Sequence, residues 1–154
     1  MTRLMLALCA ATFLMAGCAA TTPQKDVSIA ELEKTVEATI DFDTSAMHTA
    51  DREYMLMLLE VDGEAISDFV MKIPTGTNQN EYGVFVAAPD RESEVEDAVN
   101  KYLQTRKEEW DVNYLAEEKF KIDSGRCGRI GPYVYYVIGG DNFDQVEKAI
   151  TGIV

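Results

Sequence analysis

Tyr133 to Ile138 reads YVYYVI, aromatic and β-branched throughout. No other stretch constrains the fold as strongly, because such side chains suit a pleated, half-buried surface. Gly131-Pro132 precedes it and Gly139-Gly140-Asp141 follows it, so the run reads as a strand between two turns. Ser67 to Pro74 (SDFVMKIP) alternates Phe69, Met71 and Ile73 with Asp68, Val70 and Lys72, the period of a half-buried strand ended by proline. Tyr82 to Ala88 (YGVFVAA) is a short apolar run closed by Pro89. The polar TGTNQN connection between these two is short, so they are expected to pair antiparallel. Phe120 to Ile130 is interrupted by Gly125 and Gly128. It reads as a strand with a break, with Cys127 and Ile130 facing a core.

Helical spacing accounts for most of the rest. Ser28-Ile29-Ala30-Glu31 matches a capping box, and Ile29, Leu32, Val36 and Ile40 follow at helical intervals. A helix is predicted from Ile29 to Ile40, and a shorter one from Asp51 to Leu59. The methionine-rich end of the latter, Met55 to Leu59, has two readings: core packing, which is the expectation, or a soft binding surface. Val61-Asp62-Gly63 reads as a turn. Asp90 to Val112 is the longest predicted helix, with Asp90 as its cap. Its stripe is Val95, Ala98, Val99, Tyr102, Leu103 and Trp110. Asn113 to Phe120 continues helical, and Phe143, Val146, Ala149 and Ile150 suit a closing helix. The order is helix, helix, strand, strand, helix, strand, strand, helix. It predicts an α+β fold: one small domain with a four-stranded, mainly antiparallel sheet and helices packed on one face.

The first residues set the expected location. Arg3 supplies a positive charge, Leu4 to Met15 is apolar, and Ala16-Gly17-Cys18 ends the run. That is the layout of a secretory signal peptide, and the cysteine at the cleavage point makes it a lipobox. The apolar run is too short for a spanning helix, which needs roughly 20 residues. Residues 1–17 are expected to be the signal peptide. Cys18 is the lipidation site, residues 18–27 the lipidated cysteine and tether, and residues 28–154 the α+β domain. An ordinary cleaved signal with an incidental Cys18 is the alternative, and Met15 departs from the usual lipobox leucine. Two acyl chains would hold the protein stably, since each buried methylene adds about 0.8 kcal/mol.

Removing residues 1–17 from 154 leaves 137, enough for one ordinary core. The whole chain has 14 Lys and Arg against 27 Asp and Glu, a net charge of −13. Arg3 is the only charged residue in the removed part, so the mature chain carries −14. Such acidity argues against nucleic acid and against anionic lipid headgroups as partners. The lipid is therefore the expected membrane contact, with a membrane or cell-wall protein as a further candidate partner. Of the three cysteines, only Cys127 stays free in a lipidated mature chain. No internal disulfide is expected, and Cys127 reads as a packed residue rather than a nucleophile.

From Val61 onward the layout resembles the clostridial lipoprotein family known as domain of unknown function 4358. The residues that carry the resemblance are Glu81-Tyr82-Gly83-Val84-Phe85-Val86-Ala87, a strand with an acidic start, and the helix bearing Val95, Val99 and Leu103. Tyr114-Leu115 beyond Trp110 and Gly131-Pro132-Tyr133-Val134 complete it. These are patterns of core residues and imply no activity. The resemblance implies a Gram-positive cell-surface lipoprotein with one small domain. The chain departs from the family pattern at Gly125-Arg126-Cys127-Gly128-Arg129, which is unusually rich in glycine and arginine.

That segment is the one candidate contact in the domain. Arg126 and Arg129, flanked by glycines, suit a carboxylate, a phosphate or a partner; alternatively they pair with the protein's own acids. No dinucleotide fingerprint, P-loop or histidine–carboxylate metal pattern occurs. His48, the single histidine, lies in a polar stretch with no nucleophile elbow, and Asp41-x-Asp43 lacks the ligands of a calcium loop. No catalytic residue, metal or cofactor is implied. The expectation is a non-catalytic binding or accessory module at the outer face of the cell membrane. The alternative is a small extracytoplasmic enzyme using acidic residues or the Arg126/Arg129 segment. A pocket with a raised-pKa carboxylate would favour the enzyme; an apolar patch bearing tyrosine or methionine would favour binding.

Overall fold

The structure, a computed structural model, describes residues 26–110 and 115–154. Cys18 and the signal segment lie outside the described residues, as does the stretch 111–114. Five strands form one antiparallel sheet: β1 (His48–Thr49), β2 (Ile66–Ile73), β3 (Glu81–Ala87), β4 (Arg126–Ile130) and β5 (Tyr133–Ile138). Their order across the sheet is β1-β2-β3-β5-β4. Five helices accompany them: α1 (Ile29–Glu37), α2 (Arg52–Leu59), α3 (Glu92–Glu109), α4 (Ala116–Asp123) and α5 (Phe143–Thr151). The small α+β domain with an antiparallel sheet is the expected one. The fifth strand is the addition: β1, two residues at the edge, pairs His48 with Ile73 and Thr49 with Lys72.

The helices do not share one face, which corrects the expected arrangement. Side chains of β5 alternate strictly. Tyr133, Tyr135 and Val137 pack with Leu32 and Val36 of α1 and Phe143, Val146 and Ile150 of α5. Val134, Tyr136 and Ile138 pack with Met55 of α2, Val95, Val99 and Leu103 of α3, and Ile122 of α4. All six β5 residues are therefore buried. A strand that is apolar on both sides requires cover on both sides, because each exposed large apolar side chain forgoes about 1.5–3 kcal/mol. The first face begins at Val27, which is buried and donates its backbone N–H to Tyr133 Oη at 2.8 Å. Packing thus starts one residue before the expected boundary.

Local signals explain most helix ends. Ser28 accepts from the Glu31 N–H at 3.3 Å, and α1 stops at Glu37, short of the expected Ile40. Asp51 accepts from the Tyr54 N–H at 2.8 Å and starts α2. Asp51→Ala is expected to lower stability by about 1 kcal/mol, measured as the midpoint shift in urea unfolding. Asp90 is not the cap of α3. It adopts a left-handed backbone (φ 64°), and Arg91 takes the cap position, bonding Glu94 and reaching Asp62 at 3.0 Å. The predicted continuation of α3 is a separate helix, α4, and the break expected in the strand after Phe120 is the end of that helix before β4.

Candidate functional site

Glu81 opens β3 and is fully buried. It points to the same face as Gly83 and Phe85, two and four residues on, by the period of a strand. Gly83 is opposite Tyr136 of β5. The bare backbone there lets the Tyr136 ring lie across β3 and reach Glu81. Tyr136 Oη donates to Glu81 Oε1 at 2.6 Å, and Tyr102 Oη, from α3, donates to the same oxygen at 2.5 Å. The two rings meet edge to face at 5.8 Å. Glu81 Oε2 faces Arg106, one turn beyond Tyr102, with Nη2 at 3.4 Å. Burial is the largest influence on Glu81 and raises its carboxyl above the usual range, against the Arg106 charge and the two hydroxyls. Burial and the neighbouring carboxyl likewise push both phenols up, so they stay protonated and remain donors.

Arg106 links this cluster to a cavity. Its Nη2 also donates to Gln79 Oε1 at 2.8 Å. Gln79 is held in turn: its backbone N–H donates to Glu118 Oε2 at 2.7 Å, and its side-chain amide reaches the carbonyls of Gly76 and Thr77. Two atoms in the cluster are buried without a hydrogen-bond partner, Glu81 Oε2 and Arg106 Nε. Above them opens a cavity of about 350 Å³ between α2, α3 and the start of the β2–β3 connection. That is within the range of small-molecule sites. Glu81, Tyr102 and Arg106 contribute to its floor, and Tyr54, Met57 and Pro74 are among its walls. Met57 is 61 % exposed and Tyr54 37 %. The arrangement offers a fixed cation beside the apolar side chains of Tyr54, Met57 and Pro74, while the Tyr102 and Tyr136 hydroxyls are spent on Glu81. Glu81 itself has no exposed surface, so a molecule in the cavity meets Arg106 first.

A family model covers residues 40–139. The chain belongs to the family described as Domain of unknown function (DUF4358). The matched stretch holds Gln79, Glu81, Tyr102, Arg106 and Tyr136 together, with the three helices that cover their face. α1 and α5, which cover the opposite face, lie outside it. No curated protein and no solved structure matches the chain.

The arginines singled out in the sequence are placed elsewhere and are not brought together. Arg126 bonds Asp144 of α5 at 2.6 Å and lies 4.2 Å over the Phe143 ring. Arg129 reaches back to Glu96 of α3 at 2.9 Å. Three residues apart on one strand, they leave opposite faces of the sheet, and each meets an acid of the protein itself. The glycine between them makes room for a side chain: a Cβ at Gly128 would stand 2.7 Å from Tyr135 Cζ. Cys127 is half-buried, and burial pushes its thiol up to about 12, which keeps it from being a thiolate. His48 is exposed on β1, and Asp43 accepts from the Ser45 N–H at 2.8 Å. The methionine cluster divides: Met55 and Leu59 are core, whereas Met57 lines the cavity. Among the described residues no group of His, Cys, Asp and Glu is placed to hold a metal ion.

Sequence reasoning missed the Glu81–Arg106 cluster, although two signals mark it. Arg106 is seven residues after Val99, four after Tyr102 and three after Leu103, on the buried stripe of α3. A charge on an apolar stripe needs a partner. Glu81 is the other charge that interrupts an apolar pattern, at the head of β3.

Proposed function

We propose that the chain is a lipid-anchored, extracytoplasmic, non-catalytic binding module, held at the outer face of the cell membrane through Cys18, and that the cavity beside α3 is where it takes its ligand. The observation that carries the binding reading is Arg106: a guanidinium held by Gln79 and Glu81 at the base of an apolar-rimmed cavity. Pre-positioned charge under an apolar rim suits recognition. The anchor rests on the signal layout and Cys18. No helix among the described residues is long and apolar enough to cross a membrane.

The raised Glu81 carboxyl favours a second reading, an enzyme using that group as acid or base. Access supports binding over this second reading. A general acid or base must come within hydrogen-bond reach of the proton it moves. Glu81 Oε1 is occupied by two phenols and Oε2 is buried behind Arg106. Fractionation of cells expressing the wild type and Cys18→Ala tests the anchor. The wild type is expected in the membrane pellet after a high-salt wash, and Cys18→Ala in the soluble fraction. Equal retention of the variant would overturn the lipid anchor.

A further inference from the structure

We propose that the cavity binds a zwitterionic α-amino acid with an apolar side chain, its carboxylate on Arg106 and its ammonium on Glu109. The proposal rests on reading the cavity as the ligand site and names what fills it. Arg106 has three nitrogens with different fates. Nη2 is committed to Gln79 and Glu81, and Nε is buried. Nη1 has no partner among the described residues and is not among the buried atoms, while the side chain as a whole is 24 % exposed. A half-buried guanidinium with two free N–H groups is a strong donor for a carboxylate, since charge-assisted hydrogen bonds are roughly twice as strong as neutral ones.

Glu109 is one turn further along α3 and lines the same cavity. It forms no ion pair among the described residues. Residues three apart on a helix face one way, with Cβ atoms about 5–6 Å apart. These two opposite charges do not close on each other, so they offer separate seats for the two charges of one small molecule. Tyr54, Met57, Leu58, Ile73 and Pro74 supply the apolar part of the lining, beside the polar Thr105 and Gln79. Tyr54 and Met57 present a ring and a thioether, which pack well against an apolar side chain of varied shape. The volume of about 350 Å³ accommodates one such amino acid. Net charge points the same way. A protein of −13 repels a simple carboxylate at long range, whereas a zwitterion approaches without that cost.

L-phenylalanine, 3-phenylpropanoate and 2-phenylethylamine, titrated calorimetrically into the detergent-solubilised full chain, test this. The expected result is binding of phenylalanine, with each analogue weaker by roughly tenfold or more, the loss expected for one charge-assisted hydrogen bond. Glu109→Gln is expected to weaken phenylalanine and leave 3-phenylpropanoate unchanged. The double variant Glu81→Gln/Arg106→Met removes the buried carboxylate and its half-buried partner together and is expected to abolish the preference for a carboxylate. Equal affinity for 3-phenylpropanoate would overturn the zwitterion in favour of a plain acid, and equal affinity for the amine in favour of a cation; both outcomes leave the cavity as a ligand site. Binding by none of the three overturns the amino-acid assignment, while the Cys18 fractionation still judges the anchored-module reading by itself.

Discussion

Arg106→Met is expected to destabilise the protein by about 3–5 kcal/mol at neutral pH, the usual cost of removing one partner from a buried ion pair. Methionine fills much of the same space, so the loss is electrostatic rather than a cavity. What remains is Glu81, fully buried, with two phenol donors on one oxygen and nothing on the other. The pH dependence identifies the cause. Burial already raises the Glu81 carboxyl, and Arg106 is the first influence opposing it; without that charge it rises further. Between the unfolded and folded values the native state holds a proton that the unfolded chain has released. Folding therefore becomes less favourable as pH rises across that window. The gap between wild type and variant should be smallest at pH 4, widen once pH passes the raised wild-type value of Glu81, and stop widening once Glu81 is ionised in the folded variant too. Asp43, Glu60, Asp62 and Glu94 have lowered values and the opposite trend, since their stabilisation is lost as pH falls. They are common to both proteins and cancel in the difference. Urea unfolding from pH 4 to 8 measures it, with Glu81→Gln/Arg106→Met as the control expected to lose the part of the pH dependence that Glu81 contributes. A gap that does not change with pH would assign the loss to packing.

The elements were legible where one local rule governed them. YVYYVI is β5 over its full length, and the alternation of SDFVMKIP gives β2 within a residue. Boundaries slipped where two rules competed. Asp90 has the chemistry of a cap, but the chain turns there with positive φ and the helix starts a residue later. β1 has two residues and therefore no period to detect; its pairing with Lys72 and Ile73 defines it. The placement of helices on both faces was written in β3 and β5, whose nearly continuous apolar runs leave no face for water. Element order alone does not say which side of the sheet a helix takes, and it suggested one.

The candidate site was hidden for a different reason. Glycine-flanked arginines draw attention because their pattern is local, whereas Arg126 and Arg129 are each answered by an acid distant in sequence, Asp144 and Glu96. Arg106 and Glu81 are 25 positions apart and carry no motif. Only the sheet register, which sets Tyr136 across Gly83, and the turn of α3, which sets Tyr102 beside Arg106, bring the four groups to one point. What the sequence does contain is the anomaly of each charge in its own apolar pattern.

Gly83→Ala is expected to destabilise by about 3 kcal/mol, opposite in sign to what strand propensity suggests. Glycine inside a regular element is ordinarily unfavourable relative to alanine by about 0.5–1 kcal/mol, so a neutral site would gain from the change. At this site the added Cβ would run into Tyr136 Cε1 and stand 2.9 Å from Phe85 Cζ. Neither ring can withdraw easily. Tyr136 is stacked on Phe85 at 6.1 Å and edge-on to Tyr102, and all three are in the core. Overpacking of this kind costs about 1–3 kcal/mol. Displacing the Tyr136 hydroxyl from Glu81 forfeits a hydrogen bond to a charged or partly charged group, about 1.5–3 kcal/mol. A double-mutant cycle with Tyr136→Leu separates these contributions. Removing the ring in advance should make Gly83→Ala far less harmful, because the alanine methyl then enters vacated space. If Gly83→Ala costs as much without the ring as with it, Tyr136 is not what Gly83 accommodates, and the route by which β5 reaches the buried carboxylate would have to be redrawn.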